Sequence, residues 1–578
     1  MATITYDNDH VLGSPRPLRV VCIGAGATGL DVTYKIKKHL RNIDIQVYEK
    51  NASVGGTWFE NTYPGCACDI PAHVYQMSWA INPDWSEFYA SGAEILKYLQ
   101  DAARDNGLEQ HIKLRHRVVG ATWEESLGIW QLKVTNEGSG EVFSDWSHFI
   151  INGTGFLNHW QWPDIEGLDA FGGKKLHTAA WDGKVQLKGK RVGVIGNGSS
   201  GIQVVTAIQP GMTNVEAKLA CPKLIINRRC PSRSFRTESN MDRDHFRTRV
   251  CRHRWGKLRL GSRLSDSQDQ KAEYREKPEV LQTYRKAIES NLNSQFKMVF
   301  ADSPEQAGAK AYLSALMKSR LLGNEELAAR MIPDFGVGCR RPTPGVGYLE
   351  ALQEENSRVV FDPIVKIVEN GIELKTGEVV ELDIIICATG FDVTFRPHFP
   401  IIGRNNMNLS EHWKERPTAY LSFSVPKFPN YFVYLGPYSP FAHGSAFPAI
   451  EHTSTYLLRL LFKFQTECYK AVEPKKEAMD DFIDHADHFL TRTVFAANCR
   501  SWFKGGKFDG PPMVHPGSRI HWFQMLTAPR WEDWNWTAQK ANRFAYLGNG
   551  FSSWEEDGRD MAWYMNAQEH DSYDAIRY

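Results

Sequence analysis

Two runs of apolar residues, each ending in glycines at the same spacing, stand out from the hydrophobic pattern of the chain. The runs and their glycines are LRVVCI (18–23) with Gly24-x-Gly26-x-x-Gly29, and RVGVI (191–195) with Gly196-x-Gly198-x-x-Gly201. After the first glycines, Val32, Ile36 and Leu40 recur every four residues, which is the spacing of a helix that covers a sheet. Each run is therefore predicted to be a buried strand that is followed by a tight turn and a helix.

The first turn has the residues of a dinucleotide site. A second strand, DIQVYEK (44–50), brings Glu49 to its end, twenty residues after Gly29. In such a site the glycines let the backbone turn tightly and approach a pyrophosphate at the helix N-terminus, and the acid accepts hydrogen bonds from a ribose. This combination predicts that Gly24, Gly26, Gly29 and Glu49 bind the nucleotide of FAD.

The second dinucleotide unit differs from the first at the end of the strand that follows its helix. That strand is predicted over KLIIN (223–227), and Arg228 and Arg229 follow it where the first unit has an acid. A guanidinium can hold a ribose 2′-phosphate that a carboxylate would repel. We therefore expect NADPH at this turn, bound by its three glycines, by the two arginines and by Ser199 and Ser200. The alternative is a solvated arginine pair at a strand end.

Two nucleotide sites on one chain, one with Glu and one with Arg, are typical of a flavoenzyme that NADPH reduces. Two strands that run into glycine turns, FIINGTGF (149–156) and LDIIICATGFD (382–392), bracket the second unit. The expected fold class is α/β, with two dinucleotide-binding, Rossmann-like domains and the NADP domain inserted in the FAD domain. The predicted boundaries are 1–170 for the first part of the FAD domain, 171–385 for the NADP domain with a helical insertion over about 235–330, and 386–578 for the second part with the substrate-side loops.

Length, charge and composition exclude several other classes of protein. The 578 residues exceed the size of a single hydrophobic core, and the net charge of +1 gives no field that attracts nucleic acid or anionic lipid. No apolar run approaches the ~18 residues that span a bilayer, so we expect a cytoplasmic protein that binds neither nucleic acid nor membrane. The Arg-rich stretch 233–263 also carries acidic residues and is expected to be a solvated helical insertion.

The ten cysteines favour a reduced, intracellular chain. The only close pair, Cys66 and Cys68, has one intervening residue, which is neither the spacing of a CxxC redox motif nor that of a zinc site. We therefore expect no metal site, and the pair has poor geometry for the active cysteines of a disulfide reductase.

A segment between the two units carries a family fingerprint. In FGGKKLHTAAWDG (171–183), the residues that fit FxGxxxHxxxW followed by Pro or Asp are Phe171, Gly173, His177, Trp181 and Asp182. By these residues the chain resembles the type I Baeyer–Villiger monooxygenases, which depend on FAD and NADPH. The resemblance implies that the segment links the two nucleotide domains and that His177 organises this linker, acting as neither acid nor base.

The resemblance also extends to the family's active site. The segment GGTWFENTYPGCACDIP (55–71) and the residue Tyr75 are similar to the part that lies over the flavin, which implies cofactor contacts from Gly56, Thr57, Trp58, Asp69 and Tyr75. IPDFGVGCRRPTPGVGYLEAL (332–352) is similar to the segment that supplies the catalytic arginine. By that spacing the arginine is Arg341, paired with Asp69, and Arg340 is a second contact to the 2′-phosphate. Which of the two arginines faces the flavin stays open at this point.

The implied reaction inserts one oxygen atom beside the carbonyl of a ketone and yields an ester or a lactone, through a C4a-peroxyflavin formed from O2. In this reaction the peroxyflavin attacks the ketone as an anion. A guanidinium fixed beside the peroxyflavin anion lowers the free energy of that anion, which is why an arginine is expected. GPYSPFAHGSAFPAIE (436–451) and CRSWFKGGKFDG (499–510) resemble substrate-side loops, the latter in the style of secondary-metabolite members. A bulky ketone is therefore the expected substrate.

Three other functions are weighed against this one. The closest alternative is an N- or S-oxygenating flavin monooxygenase, which shares both nucleotide folds. A pyridine-nucleotide disulfide reductase and a non-catalytic nucleotide-binding scaffold are further alternatives, the first weakened by the Cys66–Cys68 spacing and the second by the presence of both Arg341 and Asp69. The oligomeric state, the particular ketone and the regiochemistry are left open.

Overall fold

The first glycine turn lies in a five-stranded parallel sheet of the computed structural model, which describes residues 10–212, 214–218, 266–562 and 565. In spatial order its strands are β17 (Tyr431–Val433), β7 (Phe149–Asn152), β1 (Leu18–Ile23), β2 (Ile43–Glu49) and β3 (Ile112–Leu114). Val20, Val21 and Cys22 are all fully buried, because both faces of a parallel sheet are covered. Helix α1 (Ala27–His39) begins inside the turn and buries Val32 and Ile36, as the spacing predicts, whereas Leu40 lies just after the helix and is half-buried.

The second glycine turn lies in another five-stranded parallel sheet. Its spatial order is β11 (Ser357–Val360), β10 (Asn214–Lys218), β9 (Arg191–Ile195), β15 (Ile384–Cys387) and β8 (Lys174–His177). The strand beside β9 after the turn is β10, so the prediction of 223–227 for that strand is wrong. A shorter connection after the helix is sufficient to reach the sheet. Residues 223–227 themselves lie outside the described residues.

The other strands of the described residues form three smaller sheets. One contains β16 (Ile401–Ile402), β4 (His116–Glu124), β5 (Ile129–Asn136) and β6 (Val142–Ser147), another β12 (Ile364–Val368), β13 (Gly371–Leu374) and β14 (Val379–Glu381), and the third β18 (Tyr469–Pro474) and β19 (Trp534–Ala538). The four-stranded sheet packs against the first five-stranded sheet. The two share one core that includes Tyr48, Trp130 and Tyr431.

The part of the chain that the structure describes contains further α-helices besides α1. They are α2 (Thr57–Glu60), α3 (Gly92–Asp105), α4 (Ser199–Ile208), α5 (Gln268–Glu276), α6 (Pro278–Ser294), α7 (Pro304–Arg320), α8 (Glu325–Met331), α9 (Tyr348–Ala351), α10 (Leu409–His412), α11 (Ala446–Thr466), α12 (Lys476–Leu490), α13 (Arg519–Met525) and α14 (Ser553–Glu556). Helices α5 to α8 fall in the predicted insertion, whose residues before 266 lie outside the described part. Among the described residues, no helix combines the length and apolar composition needed to cross a membrane.

The chain crosses twice between the two parallel sheets. It leaves the first sheet after β7, runs through residues 153–173 and enters the second at β8; after β15 it returns through residues 388–400 to β16 and β17. The two strands predicted to bracket the second unit are β7 and β15. The expected α/β class with one dinucleotide unit inserted in the other is confirmed, and the domain boundaries remain predictions.

Candidate active site

The first turn is closed so tightly that two of its glycines, Gly24 and Gly29, have no room for side chains. A Cβ on Gly29 would lie 2.1 Å from the carbonyl oxygen of Gly24, whose φ of +102° favours glycine. Glu49 is 3% exposed, and its carboxylate accepts the backbone N–H of Ala25 at 2.7 Å and that of Asn51 at 2.8 Å. Burial raises the pKa of Glu49. Because a carboxylate oxygen has two lone pairs, each oxygen can hold the turn and still accept a ribose hydroxyl.

Two glycine backbones face each other beside this turn. A Cβ on Gly26 would lie 3.5 Å from the Cα of Gly56, and a Cβ on Gly56 would lie 3.0 Å from the Cα of Gly26. Gly56 immediately precedes α2, which begins at Thr57. The first turn therefore packs backbone to backbone against the residue that precedes α2.

Three aromatic side chains in successive contact connect α2 to a predicted substrate-side loop. The rings of Trp58 and Tyr75 meet edge to face, with centroids 5.7 Å apart, and Tyr75 meets Phe447 in the same manner at 4.5 Å. Phe447 belongs to the segment 436–451. Two residues predicted to contact the cofactor are thereby placed next to a loop predicted to contact the substrate.

Arg341 and Asp69 form a two-point ion pair, as the resemblance implies. The Nε of Arg341 donates to Asp69 Oδ2 at 2.5 Å, and Nη2 donates to Oδ1 at 2.8 Å. The side chains are 22% and 18% exposed. Burial disfavours the charge of Arg341, but the carboxylate outweighs burial and raises the pKa of the guanidinium. The arginine is therefore charged near pH 7.

A third contact ties this arginine to the substrate side. Nη1 of Arg341 donates to the carbonyl oxygen of Phe441 at 2.7 Å. Within the described residues these contacts use three of the five N–H donors of the guanidinium. One N–H on each Nη is left to donate to a ligand. Arg340 is half-buried beside it, and its predicted role as a phosphate contact remains a prediction.

The second turn repeats the construction of the first and is joined to the arginine segment. A Cβ on Gly201 would lie 2.2 Å from the carbonyl oxygen of Gly196, whereas a Cβ on Gly198 would meet nothing within 4 Å. Ser199 and Ser200 form the first turn of α4, and Ser199 Oγ lies 3.0 Å from Thr343 Oγ1. Thr343 is 1% exposed and stands two residues after Arg341. Arg228 and Arg229 lie outside the described residues.

Gln203 joins the two nucleotide units and was not predicted. Its Nε2 donates to the carbonyl oxygen of Ala67 at 2.9 Å, and its Oε1 accepts the hydroxyl of Tyr63 at 2.7 Å. A Cβ on Gly65 would lie 2.7 Å from the carbonyl oxygen of Gln203. Helix α4 therefore packs directly on the segment 55–71. Gln203 belongs to no motif, and Thr343 has no predicted role although it lies in the arginine segment 332–352, so only the folded chain reveals their contacts.

His177 has the structural environment that the resemblance implies. Its ring stacks on Trp160 with centroids 4.5 Å apart, Nδ1 accepts the backbone N–H of Ala179 at 3.1 Å, and Nε2 lies 3.2 Å from Thr389 Oγ1. Burial lowers its pKa to about 4, so the ring is neutral near pH 7. His177 joins the end of β8 to the residues after β15, where the chain makes its second crossing.

A disulfide that the sequence did not predict connects the arginine segment to a substrate-side loop. Cys339, two residues before Arg341, is bonded to Cys499, and both are buried. The expectation of a reduced chain is therefore wrong for this pair, because folding brings together two cysteines that are 160 residues apart. Cys66 and Cys68 are not disulfide-bonded, and burial raises the pKa of both thiols, that of Cys66 to about 11. Such thiols are poor nucleophiles for a disulfide reductase.

The two substrate-side loops meet in an aromatic cluster, which we define as Phe156, Phe395, Phe441 and Trp502. Ring centroids are 4.9 Å apart for Phe441 and Trp502, 5.1 Å for Phe156 and Phe441, and 5.5 Å for Phe156 and Phe395. The cluster is connected to Arg341 through the backbone, since the carbonyl oxygen of Phe441 accepts a hydrogen bond from the guanidinium.

Known proteins are similar to this chain over nearly its whole length. Residues 22–91 match the family model of the NAD(P)-binding Rossmann-like domain. The FAD-binding monooxygenase tazF of Aspergillus terreus is 38% identical over 559 residues, which cover 96% of this chain and 95% of that protein. The chain belongs to the FAD-binding monooxygenases. This membership confirms the predicted flavin cofactor and the predicted enzyme class.

Two further likenesses of this FAD-binding monooxygenase agree with the fingerprint. A Baeyer–Villiger monooxygenase of Pseudomonas aeruginosa is 29% identical, with 84% of this chain and 85% of that protein covered. The fold matches a crystal structure of cyclohexanone monooxygenase from Rhodococcus sp. Phi1 bound to NADP+, with a TM-score of 0.73, 24% identity and coverage of 91% and 100%. The resemblance to Baeyer–Villiger monooxygenases is thereby confirmed, and the roles of individual residues remain predictions.

Proposed function

We propose that this FAD-binding monooxygenase is a Baeyer–Villiger enzyme. It uses NADPH and O2 to insert one oxygen atom between the carbonyl carbon of a ketone and a neighbouring carbon. Ketone, O2, NADPH and a proton become an ester or lactone, NADP+ and water. The single observation that supports this reaction best is the half-buried Arg341, which Asp69 orients at two points and which keeps N–H donors for a ligand.

The chain offers a place for each cofactor. The N-terminus of α1 at the first glycine turn is suited to a pyrophosphate, with Glu49 placed for a ribose hydroxyl. The open space at Gly198 in front of α4 fits the pyrophosphate of NADPH. Arg228, Arg229 and Arg340 are proposed to hold its 2′-phosphate. When bound, FAD accepts electrons from NADPH and activates O2 for transfer to the ketone.

Arg341 stabilises negative charge during the insertion. Attack on a ketone turns the carbonyl carbon tetrahedral and places negative charge on its oxygen. The two N–H groups of Arg341 that are not bonded to Asp69 or Phe441 can donate to oxygens that carry this charge. A donor that is already fixed in position pays no reorganisation cost when the charge develops. Asp69 is a positioning residue in this scheme, because it acts through the arginine.

A bulky ketone of secondary metabolism is the proposed substrate class. The aromatic cluster of Phe156, Phe395, Phe441 and Trp502 provides apolar surface, and Arg341 bonds to the backbone of one of its members, Phe441. Such surface suits a fused-ring or long-chain ketone, with the carbonyl directed to the guanidinium. The cytoplasmic location inferred from the sequence remains a prediction.

The test uses purified holoenzyme with NADPH and 18O2. The probes are cyclohexanone, a fused aromatic ketone and the thioether thioanisole. The expected result is an ester or lactone that carries one 18O atom from at least one ketone. NADPH oxidation with sulfoxide formation and with no ester from any ketone would instead identify an S-oxygenating enzyme, and the proposed function would be wrong.

A further inference from the structure

Three side chains that can bind metal ions converge where the two crossings between the parallel sheets meet. The rings of His159 and His398 stack with centroids 3.8 Å apart, and His398 Nε2 lies 3.8 Å from Asp392 Oδ2. One ligand atom from each of the three residues lies within 4.8 Å of the others. Two imidazoles and one carboxylate form the kind of donor set that binds late divalent transition metals.

These residues come from both crossings of the chain between the two parallel sheets. His159 lies in residues 153–173, and Asp392 and His398 lie in residues 388–400. The backbone N–H of Asp392 donates to the carbonyl oxygen of His159 at 2.8 Å, so the two segments are already in contact. An ion held by all three side chains would join one crossing to the other.

The site is partly prepared for an ion and open to solvent. Asp392 Oδ1 accepts the backbone N–H of Thr394 at 2.8 Å, which fixes the carboxylate while Oδ2 lies near His398. Such support is typical of carboxylates that bind metals. Both histidines are exposed and Asp392 is half-buried, so an ion can enter without unfolding of the chain.

To hold one ion the two rings must turn out of their stacked arrangement, because stacked imidazoles direct their nitrogen lone pairs parallel to each other. Tetrahedral zinc has bonds of about 2.0–2.2 Å to nitrogen and oxygen, which places the ligand atoms roughly 3.3 Å apart. Rotation of the two exposed histidine side chains can bring atoms that lie within 4.8 Å to this separation. Lys50 and Arg396 act electrostatically on His398, and their positive charge disfavours a cation at this place.

We propose that His159, Asp392 and His398 form a binding site for a divalent transition-metal ion that links the two crossings. The sequence suggests no such site, because its residues are up to 239 positions apart and follow no ligand spacing. The proposal is independent of the proposed function, since it concerns residues outside the Arg341 site.

The test measures Zn2+ binding to the holoenzyme after treatment with EDTA and desalting. Zn2+ is titrated at pH 7.5 against a chromophoric chelator for wild type, His159→Gln, His398→Gln and Asp392→Asn. The matched control is His452→Gln, because His452 is also exposed and also stacks on a ring, that of Phe523 at 4.1 Å. Bound flavin and the thermal midpoint without metal verify that each variant is folded.

Wild type and the control are expected to bind one more Zn2+ per chain than the two histidine variants, or to bind it at least about tenfold more tightly. Zn2+ should raise the thermal midpoint of wild type and control only. Unchanged stoichiometry and affinity in His159→Gln and His398→Gln would overturn the proposal. If a variant does not fold, diethylpyrocarbonate labelling of wild type decides: Zn2+ must protect His159 and His398, and labelling of both in the metal-bound protein rejects the site.

Discussion

Replacement of Arg341 separates its role in the reaction from its role in stability. Arg341→Ala removes the N–H donors that face a ligand and also leaves Asp69 without the guanidinium that binds both of its oxygens. The double variant Arg341→Ala/Asp69→Ala removes both charges. Arg341→Lys keeps the charge but loses the two-point contact.

The expected magnitudes follow from the burial of the pair. Loss of one prepared donor to a developing oxyanion typically costs about 10²–10³ in kcat, and we expect that loss in ester formation by both alanine variants. An unpaired buried charge costs about 3–5 kcal/mol. Because the two side chains are 22% and 18% exposed, we expect the lower end, about 3 kcal/mol, for Arg341→Ala alone. The double variant should recover much of that stability and none of the activity.

The assay follows ester formation, NADPH consumption and the thermal midpoint in the same preparations. FAD content and the rate of flavin reduction by NADPH should stay near wild type, so that NADPH is consumed without ester. Arg358→Ala is the matched control, since Arg358 makes a two-point contact with Glu378 on the surface at 2.6 and 2.8 Å; it should alter neither activity nor thermal midpoint appreciably. Ester formation by flavin-loaded Arg341→Ala within threefold of wild type would refute the reasoning.

Three further predictions concern the second turn, a histidine and the disulfide. Gly198→Ala should fold with normal FAD content and raise the KM for NADPH at least about tenfold, because its Cβ has open space in the protein but occupies the ligand's place; Gly201→Ala, which would clash with backbone at 2.2 Å, should lower the thermal midpoint. Stability should fall as the pH is lowered from 6.5 toward 4, by up to about 1.4 kcal/mol per pH unit for each buried histidine, because the unfolded chain binds the proton first; pH-dependent melting of His177→Gln, which lacks a group with a pKa of about 4, should show a shallower slope. Cys339→Ser/Cys499→Ser should lose up to about 5 kcal/mol, the value for closing a loop of this length, and dithiothreitol should lower the melting temperature of wild type but not of this variant.

Local patterns predicted the parts of the fold that short segments determine. The turns at Gly24 and Gly196, the helices after them and the strand ending at Glu49 all depend on spacing within about twenty residues, and the structure contains them. The strand after the second turn was predicted too late, at 223–227, because an apolar run outweighed the more polar Asn214–Lys218 that lies beside β9. Burial in a sheet depends on neighbouring strands, which a local pattern does not contain.

The pairing of Arg341 with Asp69 was accessible only through the family resemblance, since the two residues are 272 positions apart. The bond between Cys339 and Cys499 has no counterpart in any local pattern, and the same is true of the contact between Ser199 and Thr343. Long-range contacts of this kind follow from the packing of the two sheets. They set the orientation of the side chains that matter for chemistry.

The guanidinium at residue 341 is held between an acid from one distant stretch and a carbonyl from another, at positions 69 and 441. To change substrate preference by exchanging segments with relatives, the stretches around residues 69, 341 and 441 should therefore be exchanged together. A chimaera that imports only one of them would combine partners shaped for different neighbours. Exchange of all three stretches together preserves their mutual fit and offers the better starting point for engineering.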